Sequence, residues 1–195
     1  ADWGQYHQDL LKRVGIDQKL TSRIIDLAKK KPKTIVFAEA DHPKILKAAQ
    51  VLQDEKIAKP ILLGSRTEID RLIQEFGLDL SECKIVDPRE EPERTEKYAQ
   101  AYHAKRQRKG ITLKDAARVM RDRNAFGAMM VEFGEADALV SGLTKDYPKT
   151  ILPSLQIIGM AEGVNRVAGM YIIMNKKGTF FFADCPVNVD PNVND

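Results

Sequence analysis

The chain has 195 residues, of which 43% are hydrophobic and 30% charged, and its net charge is +3; this allows one large domain, or one domain and part of another, of ordinary globular composition. So small a charge gives no reason to expect nucleic acid, and no apolar run approaches the ~18–20 residues that span a bilayer. The opening Ala-Asp-Trp-Gly-Gln has neither the basic nor the apolar region of a secretion signal.

Residues 2–31 read as two helices. Asp2 can cap the first, where Trp3, Tyr6, Leu10, Leu11 and Val14 recur at three- and four-residue spacing, and Gly15 would end it. Thr21 or Ser22 can cap the second, which runs to Lys29-Lys30-Lys31 before Pro32. Lysines suit a helix C-terminus, and proline cannot continue the helix. This part reads as a helical connector over 1–31.

From Lys33 strand and helix alternate. Residues 34–38 are a short apolar, β-branched strand, and 43–54 an amphipathic helix that begins at Pro43, where His42 can cap it. Residues 60–63 form the next strand, and a helix with Ile69, Leu72, Ile73 and Phe76 ends at Gly77. Residues 84–86 are a strand stopped by Asp87-Pro88, and 91–108 a long polar helix. Thr112 opens another helix, with Asp115 at capping-box spacing. Asn124 can cap a third, 125–133, and 138–140 is a buried strand. Such alternation predicts an α/β fold, a parallel sheet with helices on both faces, over 32–158. After Gly159 the pattern changes. Residues 169–174 and 179–182 around Asn175-Lys-Lys-Gly178 read as a β-hairpin, so 159–195 would open a second subdomain.

Ligands of open α/β sheets sit beyond the carboxyl ends of the strands. Glu39, Asp41, Gly64, Ser65, Asp87, Ser141, Gly142 and Thr144 all follow strands. Ser141-Gly142 stands out, because glycine admits a close ligand and neighbouring N–H groups can hold an anion; an ordinary strand-to-loop turn is the alternative. Arg106, Arg108 and Lys109 offer forks for a phosphate, or else make a solvated basic helix end. No Gly-x-x-x-x-Gly-Lys-Ser/Thr loop and no Gly-x-Gly-x-x-Gly follows a strand. His7, His42 and His103 are scattered, so no catalytic triad and no metal site is expected. Asp184, after an aromatic strand, could bind a polar ligand or tie down the next turn. Cys83 and Cys185 lack metal-ligand spacing and read as buried thiols of a cytoplasmic protein.

From Lys33 to Asn188 the order of segments resembles the phosphate acetyltransferases. The resemblance rests on Ile35-Val-Phe-Ala-Glu39, Ile61-Leu-Leu-Gly64, Ile85-Val-Asp-Pro88, Arg106-Gln-Arg-Lys-Gly110, Ala136-Asp-Ala-Leu-Val-Ser-Gly142, Leu155-Gln-Ile-Ile158 and Phe182-Ala-Asp-Cys-Pro-Val-Asn188. It is closer to the version joined to bacterial NADP-dependent malic enzymes, through Arg106–Gly110, Gly142-Leu-Thr-Lys-Asp-Tyr-Pro148, Gly169-Met-Tyr-Ile172 and the leading Trp3-x-x-Tyr6 helix. The resemblance implies a fold similar to the isocitrate and isopropylmalate dehydrogenases, with a cleft between two subdomains. It also implies phosphate or CoA contacts at Arg106, Ser141, Gly142 and Thr144, and a homo-oligomer.

Where the family has arginine in a Thr-x-Arg-Pro motif, Thr150-Ile-Leu-Pro153 puts Leu152, which cannot pair with a phosphate. The family's Ser-Arg and Asp catalytic group would lie beyond Asp195, so no catalytic residue is assigned here and a fragment is expected. The first expectation is therefore a regulatory domain of a malic enzyme that decarboxylates malate oxidatively to pyruvate. It would bind no cofactor but sense acetyl-CoA, with NADP and a divalent metal in upstream malic-enzyme domains as its partners. The alternatives are part of an active phosphate acetyltransferase, and an oligomerisation module without a ligand.

Overall fold

The structure, a computed structural model, describes residues 16–183 other than 165 and 176, with side chains from Leu20 on. The first expected helix, Asp184 and Cys185 lie outside these residues. The described residues divide into two units. One is Lys31–Gly159; the other joins the residues before it to those from Met160 on.

In the larger unit four strands form a parallel sheet in the order β3-β2-β1-β4. They are β1 (Lys33–Phe37), β2 (Ala58–Leu63), β3 (Lys84–Val86) and β4 (Ala138–Val140). The helices of this unit are α2 (Pro43–Asp54), α3 (Arg66–Phe76), α4 (Pro92–Arg106), α5 (Leu113–Val119), α6 (Arg123–Glu132) and α7 (Tyr147–Ile157), with α1 (Ile16–Lys30) in the other unit. Alternation along β1 and β2 sorts side chains to two cores. Phe37 and Leu62 pack with Leu46 and Ala49 of α2 and with Ile69 and Leu72 of α3. Val36 and Leu63 pack with Tyr98 and Tyr102 of α4, Phe126 and Met129 of α6, and Ile157 of α7. Helices therefore flank both faces, as the βα alternation requires.

Local signals behave as their chemistry predicts at several ends. His42 Nδ1 accepts the Lys44 N–H at 3.2 Å, capping α2. Thr112 and Asp115 form a reciprocal capping box at α5. Gly77 ends α3 in the left-handed conformation, at φ 60°.

Four expectations need correction. Helix α1 starts by Ile16, so Thr21 and Ser22 lie inside it and cap nothing. The long polar helix is α at Pro92–Arg106 and then tightens to a 3₁₀ turn at Gln107–Lys109. The cap of α6 is Asp122, whose Oδ1 accepts the N–H groups of Asn124 at 2.8 Å and Ala125 at 3.2 Å; Asn124 is buried instead. Finally, the strand 138–140 is not buried: β4 lies at the edge of the sheet, with Ala138 and Val140 exposed. Helix α7 was not expected at all, because two prolines conceal it. Pro148 sits in its first turn, where no N–H is needed. Pro153 lies inside, and its missing N–H frees the Lys149 carbonyl four residues back. The Asn124 side-chain amide donates to that carbonyl at 3.4 Å.

In the smaller unit, β5 (Met170–Asn175) and β6 (Gly178–Ala183) form the antiparallel hairpin, with Asn175 opposite Gly178. Asn175 Oδ1 accepts the Lys177 N–H at 2.8 Å. Tyr171, Ile172, Ile173, Phe180, Phe181 and Phe182 are all exposed, Phe181 by 64%.

Candidate functional site

The loop after β4 is organised around one buried carboxylate. Glu39 follows β1, and its residue is 2% exposed. Its Oε2 accepts the N–H groups of Gly142 at 2.8 Å and Leu143 at 2.7 Å. Its Oε1 accepts the Thr144 N–H at 2.8 Å and also the Thr144 hydroxyl. Burial pushes the Glu39 carboxyl up, but the Thr144 hydroxyl and the N–H groups of Leu143, Thr144 and Gly142 outweigh it and hold the group at about 2. Gly142 has φ 106°, a left-handed value that glycine tolerates without strain, and this turns the loop N–H groups onto the carboxylate.

Ser141 and Asn124 complete the arrangement. The Ser141 hydroxyl donates to Asn124 Oδ1 at 2.8 Å and lies 3.4 Å from Glu39 Oε2. Glu39 and Asn124 are the buried polar residues among those described, and this serine joins them. The sequence marked Glu39 only as a residue following a strand, and Asn124 only as a cap. A carboxylate two residues beyond a strand that ends in buried Val36 and Phe37 was the available signal; its partners in the Gly142–Thr144 loop lie over a hundred residues away.

Two ion pairs flank the loop along the carboxyl edge of the sheet. Arg123 pairs with Asp41 at 2.8 Å and Lys145 with Asp122 at 2.7 Å. Asp137, before β4, accepts the Thr34 N–H at 2.9 Å and pairs with Lys33, which ties β4 to the start of β1. Gly64 and Ser65 follow β2, and Asp87 Oδ1 turns the chain after β3 by accepting the Arg89 N–H at 2.9 Å. Among the described residues no group of three or more His, Cys, Asp or Glu could hold a metal ion, and no helix is long and apolar enough to cross a membrane.

Ser141, Gly142 and Thr144 thus come together in one loop, and Arg106 joins none of its hydrogen bonds. Helix α4 carries the chain roughly 20 Å from Pro92 to Arg106. There Lys105 donates to the Ile157 carbonyl at 2.8 Å and pairs with Glu132, while Tyr102 donates to Gln156 Oε1 at 2.8 Å. Arg106 Nε is buried with no hydrogen-bond partner among the described residues. Leu152 is 51% exposed and lies one turn before Gln156 on the same face of α7.

The profile of the phosphate acetyl/butaryl transferase family matches residues 19–195. The chain belongs to this family. It is 39% identical over 175 residues to the phosphate acetyltransferase of Thermoanaerobacterium thermosaccharolyticum, covering 87% of this chain and 52% of that protein. It is 33% identical over 195 residues to the NADP-dependent malic enzyme of Salmonella typhimurium, covering 98% of this chain and 26% of that protein. The crystal structure of a phosphotransacetylase from Streptococcus pyogenes superposes with a TM-score of 0.80 at 31% identity, over 89% of this chain and 53% of that one. The chain thus spans about half the length of the phosphate acetyltransferase relative and of the solved structure.

Proposed function

We propose that this phosphate acetyltransferase-like chain is a regulatory domain of an NADP-dependent malic enzyme, sensing acetyl-CoA without turning it over. The observation that carries the reading is the alignment with the Salmonella malic enzyme along 98% of the chain. Leu152 supports it, since an exposed apolar side chain stands where the family resemblance implies an arginine beside the phosphate. Acetyl-CoA would contact Arg106, whose guanidinium has capacity left for an anion. The fold would be of the dehydrogenase-like kind that the family resemblance implies. NADP, the divalent metal and malate chemistry would belong to the upstream domains, in a cytoplasmic homo-oligomer. Regulation requires that acetyl-CoA bind two states of the protein with different affinity.

The test is calorimetric titration of acetyl-CoA into the chain. Saturable binding that Arg106→Ala abolishes supports the reading, and no heat overturns the assignment of the site to these residues. Acetyl phosphate formation from acetyl-CoA and phosphate by the full protein would instead establish the transferase reading, which the 39% identity to a phosphate acetyltransferase favours. The exposed apolar hairpin favours a third role in assembly, because so large an apolar surface needs cover. Light scattering that gives a monomer with and without residues 1–15 would sink that role.

A further inference from the structure

Between α4 and α5 lies a groove of about 900 Å³ with an apolar wall of Pro88, Pro92, Ala99, Leu113 and Ala117. Its size falls in the range of small-molecule sites, which are mostly apolar with a few placed polar groups. Leu113, at the start of α5, is 50% exposed and faces this space. The groove adjoins a polar pocket of about 220 Å³ at the carboxyl edge of the sheet, and Pro88, Arg89 and Arg121 line both.

The charges around this junction are unevenly matched. In the polar pocket Asp41 and Asp122 are engaged by Arg123 and Lys145, and Asp87 holds the Arg89 backbone N–H. In the groove Lys114 adds positive charge and Glu96 is the acidic residue. Arg89 and Arg121 form no ion pair among the described residues, so two guanidinium forks stand unpaired where the apolar groove meets the polar pocket. An arginine fork matches phosphate oxygens two at a time.

We infer that this junction is a binding site for a small soluble phosphate monoester, with its phosphate on Arg89 and Arg121 and its apolar group in the groove against Leu113. The assignment is independent of the acetyl-CoA reading: Arg89 lies in the turn between β3 and α4, Leu113 opens α5 and Arg121 lies just after it, whereas Arg106 stands at the far end of α4. A carboxylate would satisfy one fork, while a dianionic phosphate can engage both.

The test uses the whole chain and four probes, phenyl phosphate, octyl phosphate, inorganic phosphate and benzoate, titrated by calorimetry. At least one ester should bind saturably and roughly tenfold tighter than inorganic phosphate, through its buried apolar group. Arg89→Ala and Arg121→Ala should each weaken that ester about tenfold or more. Leu113→Gln, at a half-exposed position, should bring the ester down to the affinity of inorganic phosphate and leave inorganic phosphate unchanged. The inference is overturned if neither ester saturates, if benzoate binds more tightly than both, or if the double variant Arg89→Ala/Arg121→Ala binds as the parent does.

Discussion

Replacing Glu39 with glutamine tests the physical account of the loop directly. The carboxylate accepts the N–H groups of Gly142, Leu143 and Thr144 and the Thr144 hydroxyl. Glutamine has one acceptor oxygen, and whichever way its amide turns, the NH₂ group faces donors. Glu39 falls from its ordinary 4.5 to about 2 in the fold, which corresponds to about 3 kcal/mol of stability. The sign follows from the depressed value: this stability is complete above about pH 5 and is lost as pH falls through 4.5 towards 2. Urea unfolding followed by far-ultraviolet circular dichroism, from pH 7 to pH 2.5, reads the effect. Glu39→Gln should be about 2–4 kcal/mol less stable at pH 7, and the gap should close as the parent is acidified. Comparison with the variant cancels other carboxyls, such as Asp137 and Asp115, that the fold also lowers. A variant as stable as the parent at pH 7, or a gap that does not change with pH, would refute the reasoning.

Three further outcomes follow from neighbouring parts of the structure. Asn124→Ala removes the donor to the Lys149 carbonyl and the acceptor for Ser141; it should cost about 1–3 kcal/mol in urea unfolding, and a neutral result would mean that water serves both groups. Gly127→Val should cost about 1–3 kcal/mol or more of stability, read as a lower urea midpoint. Even the first carbon of a side chain there would lie 2.7 Å from Leu139 Cδ1 and 3.2 Å from Val36 Cγ1, so an unchanged midpoint would show that α6 lies farther from the sheet. The Cys83 thiol is pushed up to about 11 by burial and by Glu82, Asp54 and Asp79. Its alkylation by iodoacetamide at pH 8, located by peptide mass spectrometry, should be much slower than that of free cysteine; an equal rate would contradict its environment.

The layered α/β architecture was legible because each signal for it is local. Alternation along β1, the His42 and Thr112 caps and the Gly77 stop all act within a few residues. What stayed hidden depends on distant partners. Helix α7 was obscured because Pro153 reads as a breaker, and Asn124, from another helix, supplies the hydrogen bond that Pro153 withholds. Asn124 was obscured in turn because a cap and a buried amide look alike in sequence when Asp122 stands two residues earlier. The loop Ser141–Thr144 was legible as a cluster of donors, but not the identity of the anion they hold.

That identity bears on where a ligand can sit. The Gly142 and Thr144 N–H groups, which the sequence offers to a phosphate, point at the Glu39 carboxylate. An external anion using them would have to displace a buried, ionised side chain and forgo the roughly 3 kcal/mol that its hydrogen bonds supply. It would also meet like charge at close range, which low local polarity makes costly. The loop therefore serves more readily as a brace that joins β1, α6 and the start of α7. Arg106 has no such internal claimant, since its Nε makes no hydrogen bond among the described residues. For acetyl-CoA, a change at Arg106 is accordingly the more discriminating experiment. A change in the loop would alter stability and binding together, whereas Arg106→Ala leaves the Glu39 hydrogen bonds and both sheet cores in place.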